Sequence, residues 1–470
     1  MFKSRIFKKE KMAKKVVIIG GGDAGTYTLE AIFKKGAEVL KQFDITLVKK
    51  ERGGSSSICA VPFALQGVFS MKEVAEIDPP ETFIKHGIDY RTETEATSIN
   101  LENSTVSLST GEEIKYDYLV IATGRKPRIP EIEGTDLEGV YTMSTVEDGK
   151  RIEAAMNAPE AKNAVVIGGG PIGLQVALAF LKNGLKTTVV VGHPTPLSSM
   201  LDPDMGSIVR ERLEKEGVEF IFGKSVDSIK GDGAKVKSVV VGGEEIPADV
   251  VVISKGMLPN ADLAEKAGIE IGETGGIVTD QFLHVKKDGN YIKNVYALGD
   301  CVEVVDAITL RPRLSQLAST ALVQAKVVAN NLMGISYSLE PSLSPAVATI
   351  ADFQVGSVGI TSAIAERYGI KVISGKKEKP TKARFYPGRK SMVVKLLFDA
   401  YTEKLIGAQL ISEDMVADRI DGLCNAIRKG MTAKELSRME KSFDPCVSLH
   451  RDVMVDAAES AVEQFGKAEG

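Results

Sequence analysis

Two kinds of residue in this 470-residue chain are equipped for chemistry. The first is Cys59, in the segment Ser55-Ser-Ser-Ile-Cys59-Ala-Val-Pro62. Proline suits the first turn of a helix, where its missing N–H is not needed. Cys59 is therefore expected near a helix N-terminus, whose dipole favours thiolate over thiol, and the thiolate is the nucleophile. The second is a pair of glycine-rich turns. Gly20-x-Gly22-x-x-Gly25 follows the apolar run Lys15–Ile19, and Gly168-x-Gly170-x-x-Gly173 follows Ala164–Ile167; each opens a helical stretch. In such a turn the first glycine permits the bend, the second lets the backbone approach a pyrophosphate, and the third lets helix pack on strand. The pyrophosphate then sits on unpaired N–H groups at the helix start. A bare glycine turn without ligand is the plainer alternative, but two such units in one chain support each other. The pair points to FAD in one and a nicotinamide nucleotide, NAD(P)H, in the other.

The acidic residue that should close each second strand on a ribose hydroxyl is missing from both units. After Ile45–Val48 comes Lys49, with Glu51 two positions late and left as the candidate for the FAD ribose. After Thr187–Val190 come Val191, Gly192 and His193, and no Arg is nearby to hold a 2′-phosphate.

The elements that must position these residues follow from the pattern. Two strand–glycine–helix–strand units imply parallel sheets covered on both faces, an α/β fold with two Rossmann-like dinucleotide-binding domains. After the Pro/Ser-rich stretch Glu340–Pro345, strands at Gln354–Val358, Met392–Phe398 and Leu405–Ile411 alternate with helices at Thr361–Tyr368 and Met415–Lys429. This third, α+β block ends in a helix over Asp452–Phe465. Composition bounds the function. The net charge of −4 offers no basic excess for a nucleic-acid backbone. Four cysteines (Cys59, Cys301, Cys424, Cys446) without a CxxC pair, and only four histidines, argue against a disulfide scaffold and a metal cluster. Cys301 and Cys424 read as core residues, and His86 and His284 as surface. No run reaches the roughly 18 apolar residues of a membrane span. The basic N-terminal segment lacks the apolar stretch of a signal peptide, Met12 stands before the first strand as a possible start, and the compartment is read as a reducing cytoplasm.

Further motifs carry a family resemblance. Tyr118–Gly124 (YLVIATG), Ala248–Asn260 (ADVVVISKGMLPN) and Val295–Cys301 (VYALGDC) resemble the signatures of the FAD-dependent pyridine nucleotide-disulfide oxidoreductases. The Ser55/Cys59/Pro62 spacing is similar to the SFxxCxxP motif of the branch holding coenzyme A-disulfide reductases, NADH oxidases and persulfide reductases, with Ser56 in place of the Phe. The resemblance implies an FAD domain (12–127 and 268–336) split by an NAD(P) domain (140–262), then a dimerisation domain (341–470), and hence a homodimer. It implies that Asp300 binds the flavin's ribityl chain and that Cys59 is the redox centre. It extends the cofactor-binding set to Ala24, Ser55, Ala96, Thr123, Gly124, Ile172, Gly256, Gly299, Ala318 and Phe443, beside the glycines, Lys49, Glu51, Val191 and His193.

In that branch the other subunit delivers a tyrosine-containing segment and a cation that contacts coenzyme A. The matching stretch here, Phe443–Arg451, keeps Arg451 but has Phe443 and Val447 for the tyrosines and Cys446 for a proline. One of those tyrosines is matched upstream by Tyr386, read with Arg451 as a substrate contact, and Leu322 and Val323 are apolar where a polar residue is usual. Coenzyme A is thereby weakened as a third cofactor. Cys446 is read as a resolving thiol across the dimer with His450 as its acid/base partner, the alternative being an interface cysteine that only packs. The expected activity is reduction of a disulfide, persulfide or polysulfide, hydride passing from NAD(P)H to FAD and electrons on to Cys59. The alternatives are an NADH oxidase cycling Cys59 through a sulfenic acid, and a module reducing a redox-protein partner.

Overall fold

The computed structural model describes residues 13–468, so Met12 as a start lies outside the described residues. The first unit runs β1 (Lys14–Ile19), α1 (Asp23–Phe33) and β2 (Phe43–Val48). β1 carries four consecutive buried apolar residues, as a strand covered on both faces must. It lies parallel to β2 on one side and to Tyr118–Ile121 on the other. The sheet is completed by Asp89–Arg91 beyond β2 and by Asn290–Ala297 and His284–Lys287 beyond Tyr118–Ile121. Segments far apart in sequence thus share one sheet.

The second unit repeats the pattern with β3 (Asn163–Ile167), α2 (Pro171–Lys182) and β4 (Lys186–Val191). Its five strands run in the order Glu219–Phe222, β4, β3, Val250–Ile253, Val140–Thr142, all parallel. A third helix that matters for the site, α3 (Ala318–Leu332), packs along α1. The two units are joined by a short antiparallel ribbon, Arg125–Pro127 against Met257–Pro259.

The C-terminal block is an antiparallel sheet of five strands rather than the three expected. The additional strands, Ala346–Ile350 and Val372–Pro380, are its two edges. An edge strand has one neighbour and stays half exposed, so its sequence need not be apolar; VISGKKEKP is guarded by lysines. The core of the second unit continues through Phe180 into Ile350, Phe353 and Ile411 of this block. Each fully buried phenylalanine there contributes roughly 1.5–3 kcal/mol. His284 corrects the surface reading: it is buried, its Nδ1 2.9 Å from Asp280 Oδ2, and its ring packs on Tyr296. Among the described residues no helix is long and apolar enough to cross a membrane.

Candidate active site

The two glycine turns are built alike. Gly20 N–H donates to Val48 O and Gly168 N–H to Val190 O, each at 2.9 Å. A Cβ on Gly25 would stand 1.9 Å from Gly20 O, and one on Gly173 2.2 Å from Gly168 O, so both positions demand glycine for helix to meet turn. Gly22 and Gly170 differ: a Cβ there meets nothing within 4 Å. Both cap their helices without any side chain bonding to the helix start. Ala24 and Ile172 lie in the first turns of these helices. The open space over uncapped N–H groups is the cradle an anionic pyrophosphate requires, so both turns fit a dinucleotide.

Lys49, just past the end of β2, and Val191, the last residue of β4, each fold under the glycine turn of their unit. Gly21's Cβ would lie 2.8 Å from Lys49 Cδ, and Gly169's 2.8 Å from Val191 Cγ2. Lys49 is buried, and its ammonium donates to the carbonyls of Gly53 and Gly54. Burial pushes that lysine's pKa down, with Glu51 and Glu76 opposing. Glu51 is exposed two residues on, Ala96 is half-buried at the start of the strand Ala96–Asn100, and His193 is exposed in the loop after β4.

Between the turns lies a wall of short polar contacts. Thr123 Oγ1 donates to Asn260 O at 2.6 Å, and Asn260 N–H donates to Gly124 O at 2.9 Å. Gly256 O accepts from Arg128 N–H at 3.0 Å. Asp300 faces Arg125, whose guanidinium lies 3.2 Å from Oδ2. Burial raises the Asp300 carboxyl, and Arg125 offsets part of that. Gly299 packs on Ala24, and its N–H donates to Gln324 Oε1 at 2.7 Å. Gln324 Nε2 is buried without a partner. Ala318 opens α3 beside this wall. A cavity of about 300 Å³, lined in part by Gln316 and Leu317 of this wall, by Met200 of the second unit and by Gln409 of the C-terminal block, lies where the three units meet. Arg125 and Gln324 were not foreseen from sequence. Arg125 directly follows the ATG motif, which is a usable signal; Gln324 lies inside a helix and gives none.

Cys59 sits in the turn Ile58–Ala60, ahead of a helix of only five residues, Val61–Leu65, with Pro62 in its first turn. Its thiol is exposed. Ser55 is buried behind it, its Oγ donating to Asp78 Oδ2 at 2.7 Å. The short helix is clamped onto α2: Asn183 Nδ2 donates to Leu65 O at 3.2 Å, and Gln66 Nε2 to Gln175 O at 3.0 Å. Tyr27 of α1 is raised by burial and then by the negative charges around it, Asp23 first and Cys59 among them. The sulfur thus lies near both phosphate-binding helices.

The other cysteines differ. Cys301 is buried, and burial pushes its thiol up to about 11. Cys424 is half-buried against the C-terminal core, and burial raises its thiol. Cys446 Sγ donates to Asp444 Oδ1 at 2.6 Å, and that bond is the main cause of its raised pKa. His450 does not pair with it within the chain: its ring meets Phe443 edge-on, centroids 5.5 Å apart. A carboxylate two residues away has taken the place expected of the imidazole. Tyr386 stands beside this thiol, and Cys446's charge raises its phenol. Arg451 is held by the helix that follows it, Nε 2.8 Å from Asp456 and a terminal nitrogen 2.7 Å from Glu459.

Residues 14–325 match the family model described as pyridine nucleotide-disulphide oxidoreductase, and residues 345–452 match that family's dimerisation domain. The chain is 36% identical to an NADH oxidase of Methanocaldococcus jannaschii, over 96% of this chain and 99% of that one. It is 31% identical to an NAD(P)H coenzyme A polysulfide/persulfide reductase of Pyrococcus horikoshii, over 93% of this chain and 96% of that one. A solved NAD-dependent persulfide reductase from A. fulgidus superposes with a TM-score of 0.91 at 33% identity, covering 97% of this chain and 84% of that one.

Proposed function

The chain belongs to the pyridine nucleotide-disulphide oxidoreductases, FAD-dependent enzymes acting on NAD(P)H, and we propose that this member reduces a disulfide, persulfide or polysulfide sulfur through Cys59. The observation that carries the reading is the contrast among the four thiols. Among the described residues Cys59 is the most exposed of the four cysteines, with Cys301 buried, Cys424 half-buried and Cys446 half-buried and bonded to a carboxylate.

The residues divide the work. The Gly20–Gly25 turn and α1 would hold the FAD pyrophosphate, with Asp300 toward the ribityl chain, and the Gly168–Gly173 turn and α2 would hold NAD(P)H. When bound, FAD accepts the hydride and supplies two electrons for sulfur reduction. The Cys59 thiolate attacks one sulfur of RS–SR′, forming the Cys59–S–S–R bond and releasing R′S⁻. Two electrons and one proton then break that bond, returning the Cys59 thiolate and RSH. The dimerisation-domain match supports a homodimer. Coenzyme A, which the P. horikoshii relative is named for, finds little in the 443–451 segment, because Arg451 is already committed to Asp456 and Glu459.

Oxygen as the acceptor is the second reading, favoured by the relative named NADH oxidase. Anaerobic NADH oxidation with polysulfide, a coenzyme A disulfide or a small disulfide decides between the two. Sulfur reduction that falls at least about 1000-fold in Cys59→Ser, with flavin reduction by NADH intact, supports the proposal. Rapid oxygen consumption with no sulfur-dependent turnover overturns it.

A further inference from the structure

We propose that this enzyme takes NADH and NADPH with little discrimination, because Val191 and its neighbours leave the adenosine-ribose end of the second site without either charge that would choose between them. The inference rests on the proposed nucleotide role of the Gly168–Gly173 turn.

The position of Val191 is fixed. Its register partner on the next strand is Phe222, and Gly223 N–H donates to its carbonyl at 2.9 Å. The side chain is 3% exposed and turned under Gly169. This is the strand end where a carboxylate accepts the ribose 2′-hydroxyl of NADH and repels the 2′-phosphate of NADPH, and where a nearby arginine grips that phosphate instead. An isopropyl group does neither. From Val191 to Met200 (VGHPTPLSSM) there is no Asp, Glu, Lys or Arg, and His193 is the only titratable side chain. On the adjoining strand end the first charged residue is Lys224, whose Nζ lies by Gly242, 3.2 Å from where that glycine's Cβ would stand. Nothing at the strand end rewards a hydroxyl over a phosphate or the reverse. Selection then falls to the pyrophosphate cradle, which is common to both nucleotides.

The test reads anaerobic reduction of the bound flavin, from the loss of its visible absorbance, with NADH and with NADPH, so no electron acceptor enters. The expected second-order rate constants lie within about tenfold of each other. Gly192 is exposed, and a Cβ there meets nothing within 4 Å. Gly192→Arg should therefore fold and shift the ratio at least about tenfold toward NADPH. Val191→Asp should shift it about as far toward NADH; if that buried change fails to fold, Gly192→Arg decides alone. A wild-type preference above about 100-fold, or a ratio that Gly192→Arg leaves unmoved, overturns the inference. Flavin that neither nucleotide reduces overturns the function proposed above, and the preference with it.

Discussion

The carboxylate of Asp202 stands 2.9 Å from the ammonium of Lys395, joining the second nucleotide-binding unit to the C-terminal sheet with both side chains almost out of water. Asp202 also accepts the N–H of Ser362 at 2.8 Å and its hydroxyl at 2.6 Å. Lys395 reaches a second carboxylate, Asp204, at 2.7 Å.

This junction should set a pH window for stability. Burial is the largest influence on Asp202 and would raise its carboxyl, but the bonds from Ser362 and Lys395 outweigh it and hold the group below 3.8. Lys395 is likewise opposed by burial, yet its bonds to Asp204 and Asp202 hold it above 10.5. The carboxylate's contribution is present above its unfolded value and lost as pH falls through the lowered one; the ammonium's is present below its unfolded value and lost as pH rises through the raised one. The contribution is therefore full between pH 3.8 and 10.5. Asp202→Ala should cost about 3 kcal/mol at neutral pH, read by chemical unfolding, with the deficit shrinking in acid.

Gly170→Asp should weaken nicotinamide nucleotide binding without disturbing the turn. The backbone there is extended and nothing lies within 4 Å of the new Cβ. A carboxylate at the anion cradle opposes the pyrophosphate by about 1–2 kcal/mol, so the KM for NADH should rise about tenfold while thermal stability holds. An unchanged KM would remove the turn from the nucleotide site.

Cys446 should be the slower of the two accessible thiols toward alkylation at neutral pH. Its hydrogen bond to Asp444 holds it as the thiol, since the neighbouring carboxylate disfavours a second negative charge. Asp444→Asn should speed its modification, while Cys59, remote from that carboxylate in sequence, reacts as before. Mass spectrometry of time-resolved samples distinguishes the two sites.

The segment carrying Cys446 depends on one buried ion pair. Arg419 lies 3.0 and 2.8 Å from the two oxygens of Asp452, and both side chains are nearly inaccessible. Asp452 also receives the N–H of Met454 at the start of the last helix. Removing one partner strands a buried charge, so Asp452→Ala should lose about 3–5 kcal/mol and expose Cys446 to faster labelling.

What the sequence disclosed, and what it withheld, divides along physical lines. The two turns were legible because steric demand confines Gly20, Gly25, Gly168 and Gly173 to glycine. The interior strands of the third block were legible because both faces are buried. Its edges were not, since Val372–Pro380 answers to solvent as much as to the sheet. His284 read as surface because its burial rests on Asp280 and Tyr296, and only the folded chain places the ring against Tyr296. The Cys446–Asp444 bond was hidden for another reason: a separation of two residues is compatible with many turns, and only one brings that thiol to that oxygen.

The clamp of Asn183 and Gln66 across the Cys59 helix has a mechanical consequence. Leu65 O and Gln175 O are both held, so the reactive sulfur travels with the helix that cradles the second nucleotide. The ribbon Arg125–Pro127 with Met257–Pro259 is a natural hinge, but swinging on it would tear the thiol's support away from the first sheet. Any swing of the second unit would therefore carry the Cys59 helix with it. The placement of the reactive sulfur then rests on a helix of five residues, pinned to its neighbour at Leu65 O and through Gln66.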